Sequence, residues 1–267
     1  MERPGASCSR EQRSRPRRVT ADQSRISTLS EGPGAIVRLA WYPPGLRMEA
    51  HAHEVAQASW LLMGGLSEHH GSREYISRRP MAGFKPAGQA HANAYGPAGA
   101  LILSLNLDAA AAPDFDWSWG PAAPDSLALA RRLLTAGDGE RDEVAGDLVA
   151  SLHAPRDRRR ATPPAWVERC REALEDDPEG WSIARLARAH GVHRVHLSRS
   201  FRDHYGVAPS VFRRRIMAGR ALRSLLDGAP RHAAAAAEAG FADEAHFSRT
   251  MKSELGVGPR ALRTLLH

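Results

Sequence analysis

The chain has 267 residues, enough for two ordinary domains, and 37 Lys and Arg against 30 Asp and Glu give it a net charge of +7. Lys85 and Lys252 are its only lysines, so arginine carries nearly all of that surplus, which favours polyanionic partners. Two cysteines, Cys8 and Cys170, offer neither a disulfide framework nor a cysteine metal site, and no apolar run approaches the ~20 residues that cross a bilayer.

Those exclusions predict a cytoplasmic protein without membrane contact. The charged amino terminus has no apolar stretch behind it and does not read as a signal peptide. Residues 1–25 are rich in Arg, Ser and Pro, with too little apolar surface to offset ordering, and are predicted to be a disordered basic tail. From Ile26 to Leu107 the pattern becomes short apolar runs. Strands are predicted over Ala35–Trp41, Ala58–Met63, Glu74–Ser77 and Ala100–Leu107, with turns at Pro43-Pro44-Gly45, Gly64-Gly65 and Pro86-Ala87-Gly88. Several short strands at this spacing imply a small barrel or double-sheet roll.

Within that region Gly45 is followed after five residues by His51-Ala52-His53, then Gln57 and Gly64; later come Pro86-Ala87-Gly88-Gln89-Ala90-His91 and Asn93. These residues resemble the two motifs of the cupin fold. In metal-binding cupins, the resemblance implies, the ligands would be His51, His53, Gln57 and His91. On a strand, His51 and His53 at i and i+2 would point to one face. Gln57 departs from the pattern, since a carboxylate is expected there and its loss weakens affinity for a divalent metal. Three readings stay open: imidazoles hydrogen-bonded in the barrel mouth, a divalent metal site, or polar anchors for a small effector. The third is favoured, with His51, His53, Gln57, Trp60, His91 and Tyr95 as effector-binding residues; no resident cofactor and no catalysis are expected.

Asp108–Pro124 is a Pro- and Ala-rich connection whose Phe115, Trp117 and Trp119 are predicted to pack on the barrel. Helices are predicted over Ser126–Leu134 and Glu143–Leu152. In the second of these Val144, Leu148 and Leu152 form an apolar stripe, with Val149 beside it, that suits either a homodimer contact or packing on the barrel. The run 154–162 is a charged linker. The expected layout is therefore a tail (1–25), a cupin-like sensing domain (26–124), a helical dimerisation or linker region (125–153), the linker (154–162) and a DNA-binding domain (163–267).

The last segment opens with Thr162 as an N-cap and Pro163-Pro164 at the first helical positions, with Trp166, Cys170, Ala173 and Leu174 facing inward. It then states one pattern twice. Gly191-Val192 leads to Leu197-Ser198-Arg199-Ser200-Phe201 and Gly206-Val207-Ala208-Pro209. Gly240-Phe241 leads to His246-Phe247-Ser248-Arg249 and Gly256-Val257-Gly258-Pro259, with one extra residue after the glycine. Leu197, Phe201 and Tyr205 share one helical stripe, as do Phe247, Met251 and Leu255; each helix turns a basic side the other way. A short helix precedes each glycine, at Ile183–His190 and His232–Ala239, and a joining helix spans Ser210–Asp227. A short helix, a glycine turn and a longer basic helix is the layout that seats a recognition helix in the major groove.

This segment resembles the AraC/XylS family of bacterial transcription regulators, from about Pro163 to Leu266. The resemblance implies an α+β chain: a cupin-like small β-barrel followed by helices, then an all-α double helix-turn-helix. It also implies double-stranded DNA as partner, a small-molecule effector, a homodimer contact through the middle helices, and, for an activator, RNA polymerase. Arg194, Val195, Ser198 and Arg199 are expected at base edges in one groove, and Glu244, Ala245, Ser248 and Arg249 in the next. Arg202, Lys252 and Arg213, Arg214 and Arg215 are expected at phosphates. Ala235, Met251 and Gly219 depart from the family pattern and predict an underfilled second unit. A metal-dependent cupin fused to a DNA-binding tail is the alternative.

Overall fold

Two long antiparallel strands, β4 (Ala56–His70) and β7 (His91–Leu107), form the spine of the amino-terminal half. Their residues alternate with the period of two that a half-buried strand requires. Ala58, Trp60 and Leu62, with Leu101, Leu103, Leu105 and Leu107, form an apolar row on one face; Gln57, Ser59, Ser104 and Asn106 line a cavity on the other. In this computed structural model residues 23–32, 34–77, 81–152, 163–228 and 231–266 are described. The sheet also holds β1 (Arg25–Gly32), β2 (Ala35–Tyr42), β3 (Arg47–His51), β5 (Arg73–Ser77), β6 (Met81–Lys85) and β8 (Ser118–Pro121). Its order is β1-β2-β7-β4-β6-β8, with β3 added on β7 and β5 on β4.

Gly64 and Gly65 do not make the turn expected of them. β4 runs through both, and its pairing with β7 shifts register on either side of Met63-Gly64. Gly64 and Gly99 both have positive φ, +85° and +70°, and a Cβ on Gly64 would lie 1.9 Å from the Gly99 carbonyl oxygen. Glycine at that crossing creates a bulge that bends both long strands. Gly45 and Gly88, also at positive φ, do sit in turns.

Helices α1 (Pro124–Thr135) and α2 (Asp138–Ser151) cover the apolar face. Val144, Leu148 and Leu152 are buried there against the sheet, so this stripe is consumed within the chain and is not free as a dimer contact. The carboxyl-terminal half is all helical: α3 (Ala165–Asp176), α4 (Ile183–Ala189), α5 (Arg194–Tyr205), α6 (Pro209–Leu226), α7 (His232–Glu238), α8 (Glu244–Leu255) and α9 (Pro259–Leu265). The chain is thus α+β, an eight-stranded antiparallel sheet with two covering helices followed by an all-α half with two helix-turn-helix units. None of the described helices is long and apolar enough to cross a membrane.

The joining helix α6 also packs on β7 and β4. Gly219 is where they meet: a Cβ there would lie 2.9 Å from the Ala98 carbonyl oxygen. The glycine that looked like a weakness in a helix is the seat for a strand. The buried core of the sheet continues through Leu222 and Leu226 into Ala235, Ala236, Phe241, Phe247 and Met251 of the second unit. Small residues in α7 therefore lie within a shared core. The described part begins close to the predicted tail's end, but Arg25 already belongs to β1 and its Nη2 donates to the Leu226 carbonyl at 2.7 Å. Residues 1–22 of that tail, Cys8 among them, and the linker with Thr162 lie outside the described residues.

Candidate DNA interface and sheet cavity

Each helix-turn-helix unit is built by the same local rules. In α4, Ser182 accepts the Arg185 N–H at 3.2 Å and starts the helix; Gly191, at φ +64°, turns the chain after it. Helix α5 then buries Leu197, Phe201 and Tyr205 and ends at Gly206 in the left-handed region, after which Pro209 starts α6. The second unit repeats this with Gly240 at φ +80°, the buried Phe247, Met251 and Leu255, Gly256 and Pro259. The extra residue of the second copy lengthens its turn, Ala239–Asp243 against His190–His193.

The predicted base-facing residues lie on the outer sides of α5 and α8. Arg194, Val195 and Arg199 are exposed and Ser198 half-buried; Glu244, Ala245 and Arg249 are exposed and Ser248 half-buried. Val195 is 55% exposed, an apolar side chain held in water at the start of a helix. Arg202 and Lys252 are exposed beside them. The α6 arginines differ from expectation. Arg215 Nε donates to Glu254 Oε2 of α8 at 2.5 Å, both side chains being largely buried, and Arg213 Nε donates to the Pro178 carbonyl. Arg215 is thereby committed to tying α6 to α8, while Arg213, held at one nitrogen, and Arg214 are both half-buried. On α3, Val167 takes the fully buried place expected of Trp166, whose ring stacks on His196 instead.

On the inner face of the sheet is a cavity of about 210 Å³. At one end His51, His53 and His91 converge, with ligand nitrogens all within 4.8 Å of one another. His51 closes β3 while His53 lies beyond it, so their approach comes from the loop and not from strand alternation. His51 Nδ1 faces the Glu49 carbonyl at 2.9 Å and His91 Nδ1 the Gln89 carbonyl at 3.4 Å; His91 Nε2 is buried without a partner. Burial, then the nearby Lys85 charge, lowers His53 to about 4 and His91 to about 3. Both are neutral at pH 7.

Gln57 does not join this cluster. Its Nε2 donates to Asn106 Oδ1 at 3.0 Å, and its Oε1 accepts from Lys85 Nζ at 3.0 Å and Ser59 Oγ at 3.1 Å. Lys85 also pairs with Glu68 at 3.1 Å, both groups being buried, and Trp119 Nε1 donates to Glu68 Oε1 at 2.5 Å. Tyr95 lines the cavity, stacked on Tyr42 with centroids 4.4 Å apart. Trp60 does not: its place in β4 turns it to the helix-covered face, where Nε1 donates to Ser126 Oγ at 3.2 Å. Phe115 packs on the sheet as expected, but Trp117 stacks on His70 and lies 4.9 Å from His91.

A second cavity, about 200 Å³ and mostly apolar, lies between the sheet and α6, bounded by Pro97, Phe212, Arg215 and Ile216. Leu66 and Tyr95 line both cavities and form the wall between them.

The known helix-turn-helix domain family matches residues 186–264 of the chain. This is an AraC-type helix-turn-helix domain. Such a domain supports a DNA-binding transcription regulator. Among solved structures, ToxT from Vibrio cholerae is similar over 87% of this chain and 99% of its own, at 12% identity and a TM-score of 0.38. The C-terminal domain of AraT, a response regulator from Geobacillus stearothermophilus, is similar over 39% and 88%, at 22% identity and 0.36. A cupin superfamily protein from Desulfitobacterium hafniense is similar over 33% and 81%, at 15% identity and 0.30. All three are loose likenesses, and no curated protein matches.

Sequence reasoning about the cupin-like half missed Arg38, Lys85 and Glu68. Lys85 closes β6 and directly precedes the Pro86 turn, and its being one of only two lysines was the available signal.

Proposed function

We propose that the chain is a sequence-specific transcription regulator, not an enzyme, in which a small molecule bound in the sheet cavity changes how two recognition helices engage DNA. One observation carries the reading: Ser198-Arg199 and Ser248-Arg249 occupy equivalent half-turns on the outer sides of α5 and α8, each backed by a buried apolar stripe. Arg199 and Arg249 would reach guanine O6 and N7 with paired hydrogen bonds, Glu244 would accept from cytosine N4, and Val195 and Ala245 suit thymine methyls. Arg194 and the two serines complete the base-facing set. Arg202, Arg214 and Lys252 would hold phosphates and set register. Activation through RNA polymerase is the direction that the family resemblance implies.

The coupling route is short. A ligand against Tyr95 touches the wall shared with the second cavity, and β7 continues from Tyr95 to Ala98, which seats Gly219 of α6. Selection of bound fragments from genomic DNA by the full-length protein tests the first part. Recovered sites sharing two half-motifs about one helical turn apart are expected; recovery of random fragments would rule it out.

A second reading is favoured by the orphaned His91 Nε2. The His51, His53 and His91 rings fit a divalent transition metal on three sides, with carbonyls orienting two of the rings from behind. When bound, such an ion would supply a Lewis-acid anchor for an oxygen ligand. Among the described residues no carboxylate joins the three. Metal analysis of protein purified without a histidine tag decides: stoichiometric metal lost in His91→Ala supports the site, and its absence removes it.

A further inference from the structure

We propose that the cavity's ligand is a small organic monoanion whose carboxylate sits between Lys85 and Arg38. This rests on the sensing function above and names the chemistry of what is sensed.

The charge count comes first. Lys85 is 5% exposed, and its ammonium spends two of three N–H donors on Glu68 and Gln57, leaving one for a ligand. Lys85 and Glu68 cancel as a pair. Arg38, from β2, also lines the cavity, is exposed, and has no acidic partner among the described residues. One positive charge is left over. A monoanion compensates it, a dianion leaves a charge unmatched, and a cationic ligand meets repulsion from Arg38 and Lys85 together.

The remaining walls suit the rest of such a molecule. The stacked Tyr42–Tyr95 pair, Leu66 and Ile102 give it an apolar bed, while Ser59, Ser104 and Asn106 offer neutral hydrogen-bonding groups. The guanidinium of Arg38 can hold a carboxylate through two parallel N–H bonds, and the lysine adds a point charge. Few placed polar groups on an apolar surface is the usual form of a small-molecule site.

The test uses EDTA-treated, full-length protein and a set of monocarboxylic acids from acetate to naphthoate, each with its primary amide and primary amine. Ligand-observed NMR reads binding. We expect some acids to bind at least about tenfold tighter than their amides, and the amines not to bind. Arg38→Gln, at the exposed rim, lowers that affinity about tenfold, and Arg38→Lys restores most of it. Lys85→Met combined with Glu68→Gln removes both buried charges together; it also lowers acid binding at least about tenfold, in protein whose thermal unfolding remains cooperative. Amides that bind as tightly as acids overturn the anion while leaving sensing intact. If no member of any set binds, sensing falls with it. Acid binding that ignores both variants, or that returns only on adding metal, overturns the assignment to Arg38 and Lys85.

Discussion

The first helix-turn-helix unit closes around its own core: Val167, Cys170, Leu174, Leu186, Leu197, Phe201, Tyr205 and Phe212 pack together, and the sheet contributes only Ala98. The second has no separate core. Ala235, Ala236, Phe241, Phe247, Met251 and Leu255 belong to one cluster with Leu103, Leu105, Trp60 and the α1–α2 helices. Arg215 adds an ion pair to Glu254 on the same side. The difference teaches that two copies of one pattern can stand in different relation to the rest of the chain. The unit built with small residues borrows its packing from the β-rich half.

The sharpest way to break this comparison is to remove one aromatic from each core. Phe247→Ala and Phe201→Ala each remove a fully buried ring, at a cost of about 3–5 kcal/mol. Hydrogen exchange is expected to show β7 losing protection with Phe247→Ala, and α4–α5 alone loosening with Phe201→Ala. Equal loss in β7 from both would abolish the distinction. Gly219→Ala probes the seat itself. The added methyl meets the Ala98 carbonyl, and overpacking of about 1–3 kcal/mol outweighs a helix-propensity gain of up to about 1 kcal/mol. A raised unfolding temperature would contradict the close approach.

Arg199→Ala should cost about 1–3 kcal/mol on the selected site and relax preference at one base position, whereas Arg214→Ala should weaken all sequences alike and reduce the salt slope by about one. Binding isotherms at several salt concentrations check both, and equal loss from Arg199→Ala on specific and random DNA would remove it from base readout. The smallest effect is in the histidine cluster of the β-rich half. In metal-free protein the folded His53 and His91 titrate near 4 and near 3, below the ordinary 6.5, so the unfolded chain binds more protons in between. Stability is therefore fully present above about pH 6.5 and declines as the pH falls toward 4. Urea midpoints against pH measure this, and His91→Gln should flatten the curve.

The DNA-binding half was legible because its signals are local. The positions of Gly191, Gly206 and Pro209, and of their counterparts Gly240, Gly256 and Pro259, fix turns, caps and helix starts within a few residues of themselves. The β-rich half was legible only in part. The histidine trio was found from its motif, but Trp60 was placed on the wrong face because a one-residue change of strand phase inverts every side chain. Glu68 and Lys85 meet only because β4 pairs with β6 at Gln57–Lys85 and with β7 at Glu68–Asn93, contacts distant along the chain.

By itself the sequence determined two helix-turn-helix units, their outward arginines and a histidine cluster in a β-rich half, since helical spacing and turn chemistry act over single turns. Only the tertiary structure decided that Arg215 ties α6 to α8, that the Val144–Leu148–Leu152 stripe is spent on the sheet, and that Gly219 receives β7. Each of those depends on which surfaces the folded chain brings together. Burial there is settled by long-range packing, which no local pattern of residues encodes.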